Sequence, residues 1–302
     1  PGTPRRGTGL ADLAIRRGAG CIRRPASKAG KRTPLKEVCE LHIIVLAKQV
    51  PDIEKVQFIK EKGWVDRKSA DAEINPFDLN ALEAAQQLKE KLGAKVTVIS
   101  MGPASAEAVL RESIARDADR GILLTDETLA GADTLATSYA LAAAIKKLGA
   151  FDLILCGEKT VDGDTGQVGP SVAERLGIPH LSFVSELSEA TADKVTVVVE
   201  TASGSLKVEA GYPLLIAGTK ELNSPRLPTL KDKLRARKAE VEKWNAAELA
   251  ADGSKLGCAG SPTWVERIAV PPEKKRKGEV LKGEDAAATL ITALDKDGLL
   301  KG

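Results

Sequence analysis

The chain has 302 residues, of which 43% are hydrophobic and 29% charged, and its formal net charge is +3. Residues 1–40 carry ten basic and three acidic side chains, so the rest of the chain is mildly acidic. This balance excludes disorder over most of the chain and the general basic character of a nucleic-acid binder. Four dispersed cysteines and two histidines argue against a zinc site and favour a reducing, cytoplasmic location. No apolar run approaches the roughly 18 residues that cross a bilayer, so no membrane insertion is expected.

The first segment, residues 1–40, is basic and rich in glycine and proline. It lacks the apolar core of a secretory signal and is similar to a transit peptide only in its arginine content. A misassigned translation start would give the same pattern. We predict that this segment is disordered and infer no function from it.

From residue 41 onward, short apolar runs alternate with amphipathic segments of helix length, which is typical of a parallel α/β sheet. Five parallel strands are predicted, at residues 41–47, 95–100, 120–124, 151–156 and 213–218. Two further runs, 194–200 and 205–209, are joined by a short turn. They predict an antiparallel hairpin at the edge of the sheet.

Four helices are predicted between these strands, at residues 75–92, 103–116, 133–148 and 165–176. The first has a clear start signal, because Asn75 suits the N-cap, Pro76 the first helical position and Asp78 the positive end of the helix dipole. Glycines directly after three of these segments predict where the helices end.

The alternation of strands and helices stops after residue 218. A proline-punctuated loop runs into a basic helix that ends near residue 238. Residues 239–283 have little periodicity and predict an extended arm, followed by a short helix at 284–294. An arm of this length cannot fold alone, so we expect it to lie on another chain. The predicted organisation is a basic extension (1–40), an α/β domain (41–238) and a C-terminal arm (239–302).

The segment 157–170 is the most informative one for function. It leaves a strand, contains four glycines and enters a helix. In an open parallel sheet, ligands bind beyond the carboxyl ends of the strands, and helix N-termini there offer free N–H groups to phosphate. Thr165 can add a hydroxyl, whereas an ordinary loop with Asp164 as helix N-cap is the alternative. A calcium loop starting at Asp162 is excluded, because the required glycine and glutamate are missing.

A second candidate is the helix start at residues 131–138. Thr134, Thr137 and Ser138 place three hydroxyls within about the first turn, where a pyrophosphate could also lie. Asp133 or Thr134 could instead simply cap the helix. No nucleophile elbow, P-loop or zinc-protease motif is present, so the chemistry is expected to come from a cofactor.

Six segments, taken in order, resemble the beta subunit of the electron transfer flavoproteins. They are residues 45–50, 75–78, 100–103, 118–121, 157–170 and 223–230, and the resemblance covers roughly residues 41 to 300. The resemblance implies a parallel sheet of the adenine nucleotide alpha hydrolase-like, or Rossmann-like, type. It also implies a heterodimer with an alpha subunit and electron transfer through flavin.

Ordinary members of this family hold AMP in the beta subunit. The segments 162–170 and 131–137 depart from the ordinary pattern and look like the electron-bifurcating members, in which the ADP half of a second FAD takes the AMP position. In those members, NADH delivers a hydride to the beta-subunit flavin; one electron goes to ferredoxin or flavodoxin, and the other passes through the alpha-subunit FAD to a dehydrogenase.

The cofactor-binding residues are implied by the resemblance and by the two candidate helix starts. They are Leu46, Ala47, Lys48, Asn75, Asp78, Met101, Ala132, Asp133, Thr134, Thr137, Gly157, Asp162, Gly163, Asp164, Thr165, Gly166, Gln167 and Val168.

The family also places a partner recognition loop on residues 222–234, with Leu230 as its apolar anchor and Arg235 in the basic collar around it. We expect it to dock on an acyl-CoA dehydrogenase-like or other flavin dehydrogenase. Leu230 and Leu234 could instead cover the core. For the whole chain, the alternatives are an ordinary AMP-containing subunit, a flavin-bearing member that does not bifurcate and a non-redox nucleotide-binding regulator.

Overall fold

The computed structural model describes residues 11–15, 41–52, 57–59, 64–66, 72–266, 278 and 280–300. The strands in this part of the chain are β1 (Ala11–Ile15), β2 (His42–Leu46), β3 (Gln49–Pro51), β4 (Gln57–Ile59), β5 (Trp64–Asp66), β6 (Ala72–Ile74), β7 (Lys95–Met101), β8 (Arg120–Leu124), β9 (Leu153–Gly157), β10 (His180–Ala190), β11 (Lys194–Thr201), β12 (Gly204–Gly211), β13 (Leu214–Gly218) and β14 (Glu242–Trp244). The helices are α1 (Pro76–Leu92), α2 (Glu107–Ala115), α3 (Thr134–Leu148), α4 (Val168–Leu176), α5 (Leu230–Lys238) and α6 (Ala286–Lys296).

Ten strands form one sheet in the order β1-β12-β11-β10-β13-β9-β2-β7-β8-β14. All neighbouring strands from β10 to β14 in this order are parallel, whereas β11 pairs antiparallel with β10 and β12. The five predicted parallel strands are confirmed as β2, β7, β8, β9 and β13. The predicted hairpin is confirmed as β11–β12, but β1 pairs outside β12, so the hairpin does not form the edge of the sheet. The hairpin joins the parallel strands through β10, which the sequence did not predict.

Helices cover both faces of the parallel strands. Alternate residues of β2 show this: Val45 packs in a core with α1 and α2, while Ile44 packs in a second core with α3 and α4. Both residues have no exposed surface, which is why the strand reads as a continuous apolar run in the sequence.

The helix boundaries follow the predicted signals except at the starts of α2 and α4. Helix α2 begins at Glu107, after a 3-10 turn at Ala104–Ala106, and so later than the predicted residue 103. Helix α1 begins at Pro76, and Gly93 ends it in the left-handed conformation. Helix α4 begins at Val168, three residues later than predicted, so Asp164 is not its N-cap. The three intervening residues continue the loop, in which Asp164 itself has a positive φ of 51°. The loop between β9 and α4 is therefore longer than the sequence indicated.

The N-terminal segment differs from the predicted disorder at Ala11–Ile15. These residues form β1, which pairs in parallel with β12. The outer side of β12 offers unpaired backbone N–H and C=O groups, and this short, mostly apolar run can form hydrogen bonds with them. The rest of the predicted extension lies outside the described residues.

The predicted domain boundary at residue 238 also differs from the structure. Strand β14 pairs with β8, and Trp244, Leu249 and Leu256 are buried in the core formed with α3. The first part of the predicted arm therefore belongs to the domain, because it buries apolar side chains there. Helix α6 has no buried residues. Among the described helices, none is long and apolar enough to cross a membrane.

Candidate functional site

The candidate site lies at the carboxyl edge of the sheet, between β2 and β9. The chain builds β2, β7 and β8 towards one side and then crosses over to β9 and β13 on the other. The connections leaving β2 and β9 therefore diverge, and such a switch point opens a crevice in which α/β proteins bind ligands. Leu46 and Ala47 stand at the end of β2, Met101 ends β7 and Gly157 ends β9.

Asp78 joins the ends of these two strands. Its Oδ2 accepts the N–H of Lys48 at 2.8 Å, and its Oδ1 accepts the N–H of Gly157 at 2.9 Å. The residue is 4% exposed. Burial raises the pKa of its carboxyl group to about 7, although both N–H groups favour the charged form. A Cβ at Gly157 would lie 2.5 Å from the Cβ of Phe77, so this close approach of β9 and α1 requires glycine.

The loop between β9 and α4 is fastened to the same edge by two side chains. Lys48 Nζ contacts both carboxylate oxygens of Asp162 at 2.8 Å. Burial acts to raise the pKa of Asp162, but the hydrogen bonds from Lys48 lower it overall. Asn75 donates to the carbonyl of Lys159 at 2.9 Å and accepts the N–H of Val161 at 3.2 Å. Asn75 thus stands at the predicted N-cap position of α1, but its side chain holds the loop and makes no capping hydrogen bond.

The middle of this loop is exposed and leads into an uncapped helix. Gly163, Asp164 and Thr165 are exposed, and Asp164 pairs with Lys159 at 2.9 Å. Gln167 stands at the N-cap position of α4 but makes no capping hydrogen bond through its side chain. The first N–H groups of α4, which begins at Val168, are thus left without a side-chain cap, as an anion site requires. Gly166 turns the chain with a φ of 63°.

The start of α3, in contrast, is capped by Asp133. Its Oδ1 accepts the N–H groups of Leu135 and Ala136 at 2.9 and 3.0 Å, and its Oδ2 accepts the hydroxyl of Thr263 at 2.8 Å. Burial acts to raise the pKa of Asp133, but these hydrogen bonds lower it overall. The capping interpretation is confirmed for Asp133. Ala132 and Thr137 are half-buried on either side of this cap.

The starts of α3 and α4 lie side by side. The Thr134 hydroxyl donates to Gln167 Oε1 at 2.8 Å. Arg175, at the other end of α4, donates to Ser138 Oγ at 3.0 Å and to the carbonyl of Leu135 at 3.1 Å. Neither Arg175 nor Lys159 could be predicted to make these contacts, because a basic residue in the last turn of a helix or in a loop has no distinctive sequence pattern.

The predicted partner-binding residues lie away from this crevice. Leu230 is 74% exposed and Leu227 is 85% exposed, so the interpretation of Leu230 as a core residue is wrong. The Arg235 side chain is 54% exposed, and its Nη2 lies 3.6 Å from carboxylate oxygens of both Asp117 and Asp232, so its role in partner binding stays a prediction.

A doubly wound sheet with a crevice at its switch point places the chain in the Rossmann-like α/β class. Comparison with known proteins narrows this class, since the family described as "Electron transfer flavoprotein domain" matches residues 62–249. The chain is 46% identical over 252 residues to the electron transfer flavoprotein subunit beta of Megasphaera elsdenii, covering 81% of this chain and 93% of that protein. The chain belongs to the electron transfer flavoprotein beta-subunit family, as the six segments indicated.

Two further relatives agree with this assignment. The chain is 43% identical over 258 residues to the electron transfer flavoprotein subunit beta of Thermoanaerobacterium thermosaccharolyticum, covering 84% of this chain and 98% of that protein. It is 40% identical over 262 residues to the protein FixA of Bradyrhizobium diazoefficiens, covering 84% of this chain and 91% of that protein. The molecule is thus an electron transfer protein of the beta-subunit and FixA family.

Proposed function

We propose that this chain is the FAD-binding beta subunit of a heterodimeric electron transfer flavoprotein. It receives electrons from NADH by bifurcation and passes one, through the FAD of an alpha subunit, to a flavin dehydrogenase. Ferredoxin or flavodoxin receives the other electron. The observation that carries this proposal is the pair of adjacent helix starts, α3 and α4, joined by the hydrogen bond between Thr134 and Gln167.

The residues at this edge fit the ADP half of FAD. The uncapped start of α4 can bind one phosphate, and the exposed Thr165 can add a hydroxyl. Thr134, one 2.8 Å hydrogen bond away from Gln167, can reach a second phosphate. A monophosphate such as AMP would leave Thr134 without this role. FAD, when bound, supplies hydride acceptance and one-electron transfer.

The other predicted residues have distinct tasks in this proposal. Gly163 and Gly166 let the backbone approach the cofactor, while Leu46, Ala47 and Met101 offer an apolar floor to the adenine ring. Lys48, Asn75 and Asp162 hold the loop in place through the contacts described above. Asp133 fixes the start of α3, since both of its oxygens are already used.

An ordinary AMP-containing subunit, accepting electrons from acyl-CoA dehydrogenases, is the alternative. One observation favours it: the Asp133 carboxylate covers the first N–H groups of α3 and adds negative charge there. Only α4 then remains free for a phosphate, and one phosphate is enough for AMP. The non-redox regulator loses its support, because the chain belongs to an electron transfer family.

Two exposed surfaces support the proposed partners. Leu227 and Leu230 project next to the basic side chains of Lys231 and Lys233, which suits an apolar pocket with an acidic rim on a dehydrogenase. Helix α6 leaves Leu290 and Ile291 exposed, although an amphipathic helix needs a partner for its apolar face. We assign that face to the alpha subunit.

Cofactor analysis of the complex with its alpha subunit tests the proposal. The purified heterodimer is denatured, and the released FAD and AMP are quantified by chromatography. Two FAD and no AMP support the proposal, and one of each establishes the AMP alternative. Reduction of ferredoxin by NADH, dependent on the dehydrogenase and its acceptor, tests bifurcation separately. Failure of that coupled reaction in a two-FAD complex would refute bifurcation while leaving the FAD assignment intact.

A further inference from the structure

Both carboxylate oxygens of Asp78 are occupied by backbone hydrogen bonds, which a residue that binds the cofactor directly would not need. Each of its carboxylate oxygens accepts a backbone N–H group, one from Lys48 after β2 and one from Gly157 at the end of β9. The residue is 4% exposed, so almost no oxygen surface is left for a bound molecule. Its position is also particular, because β2 and β9 form the switch point of the sheet: the chain adds β7 and β8 on one side of β2, and β9 and β13 on the other.

We propose that Asp78 is a positioning residue that ties the two sides of the crevice together and touches no cofactor atom itself. This inference rests on the proposed function, because it concerns the site that holds the cofactor. The connections after β2 and β9 diverge, and Asp78 bridges them at the strand ends, where one oxygen accepts from Lys48 and the other from Gly157. The link continues from Lys48 to Asp162, whose carboxylate lies 2.8 Å from the Lys48 ammonium group.

Asn75 extends the same arrangement by one helical turn. Its amide donates to the Lys159 carbonyl and accepts the Val161 N–H, so it holds the first part of the loop. The start of α1 thus contributes two side chains, three positions apart on one face, to the loop that precedes α4. Asp78 sets the distance between the two strand ends, and Asn75 sets the position of the loop above them.

The charge on Asp78 decides whether both hydrogen bonds can form. A carboxylate accepts at both oxygens, whereas a protonated carboxyl group turns one oxygen into a donor. The titratable groups around it are the Lys48 ammonium from the β2 side, Asp162 on the loop and the buried Cys156 thiol on β9, whose own pKa is raised by burial and by Asp78. Burial raises the pKa of Asp78 to about 7, so the bridge should loosen as pH falls through neutrality.

Amide hydrogen exchange at Lys48 and Gly157 in the purified complex tests the bridge directly. We expect exchange at one or both of these amides, corrected for the intrinsic effect of pH, to be faster at about pH 6 than at about pH 8 in the wild-type protein. The side chain of Asp78→Asn keeps one acceptor oxygen and replaces the other by an NH2 donor, so we expect at least one of the two amides to exchange about tenfold faster or more, with the pH effect abolished. The release of bound FAD and AMP, measured in the same samples, should accelerate in parallel.

Asp152→Asn is the matched control. Asp152 Oδ2 accepts the N–H of His42 at 2.9 Å, so it joins the same two strands at their opposite, amino ends. Its substitution removes a charge at the other end of the same two strands but keeps an oxygen that can accept the His42 N–H, so exchange at Lys48 and Gly157 and cofactor release should stay unchanged. General loosening of the sheet would instead give the same pattern in both variants, and that would overturn the proposal.

Two other results would also overturn it. Faster cofactor release from Asp78→Asn with unchanged exchange at Lys48 and Gly157 would make Asp78 a direct cofactor contact. Unchanged exchange and release would leave it with no role at the site. The wild-type pH series needs no substitution, so it decides the question even if Asp78→Asn does not fold. Because the exchange readout is the same with FAD or AMP, it stands apart from the cofactor analysis above.

Discussion

Replacing Gly157 by alanine should force β9 and α1 apart. The added Cβ would lie 2.5 Å from the Cβ of Phe77, 2.6 Å from Asp78 Oδ1 and 2.9 Å from the carbonyl carbon of Phe77. Carbon atoms pack at about 3.5–4.0 Å, so about 1 Å must open. Rotation of a side chain cannot provide this room, because the Phe77 atoms belong to the start of α1. The φ angle of Gly157 is not positive, so steric overlap is the main expected effect.

The size of the effect follows from this overlap. Overpacking in a well-packed core typically costs about 1–3 kcal/mol of unfolding free energy. For a domain of roughly 150–250 residues, 1 kcal/mol lowers the melting temperature by about 2–4 °C. We therefore expect a decrease of about 2–12 °C. A displaced α1 also carries Asp78 away from the strand ends, so bound cofactor should be lost from Gly157→Ala as well.

Thermal unfolding by circular dichroism and cofactor content by chromatography measure both effects. Gly253→Ala is the matched control, because it lies away from the proposed cofactor site and an added Cβ there meets no atom within 4 Å. The control should therefore melt within about 2 °C of the wild type and keep its cofactor. If Gly157→Ala melted like the control and kept its cofactor, the argument from close approach would be refuted.

Three further predictions concern the docking leucine, the helix pair and an ion pair. Leu230→Ala should lower kcat/KM for electron delivery to the dehydrogenase by at least about tenfold with an unchanged melting temperature, whereas Leu234→Ala should have a smaller effect; equal effects would contradict the anchor role. Thr134→Val should lower beta-subunit flavin content, and retention of all flavin would leave that hydroxyl without a cofactor role. Glu83, 5% exposed, pairs with Arg226 at 2.8 Å, and although burial opposes the shift, Arg226 lowers its pKa. A lowered pKa stabilises the fold only while the group is charged, so Glu83→Gln should lower the free energy of unfolding by about 1–3 kcal/mol above about pH 4.5. The difference in unfolding free energy between Glu83→Gln and the wild type should shrink as pH falls through the lowered pKa. A difference that stays constant with pH would contradict this.

The parallel strands and the start of α1 could be predicted because local rules determine them. Strands buried on both faces read as apolar runs, as β2 and β8 do. Pro76 and Gly93 bound α1 through backbone preferences that need no tertiary contact. The candidate crevice could be predicted for the same reason, since it lies where parallel strands end.

The contacts within the crevice could not be predicted, because their partners are distant in sequence. Asp78 and Gly157 are 79 positions apart, and Asn75 and Lys159 are 84 apart. Asn75 has the sequence pattern of an N-cap, but tertiary contacts give its side chain a different task. The start of α4 was predicted too early because Thr165 follows an acidic residue, a common helix signal, whereas the backbone still turns at Gly166.

Strand β14 has a consequence for the surface of the sheet. It pairs with Ile122, Leu123 and Leu124 of β8, whose side chains are fully buried, and so covers their open backbone groups. A chain ending before residue 242 would expose an apolar edge that is a template for strand addition and aggregation. Strand β14 is itself a poor template, because it has three residues and two of them are charged. Strand β14, the short segment after α5, thus protects this edge of the sheet from pairing with other chains.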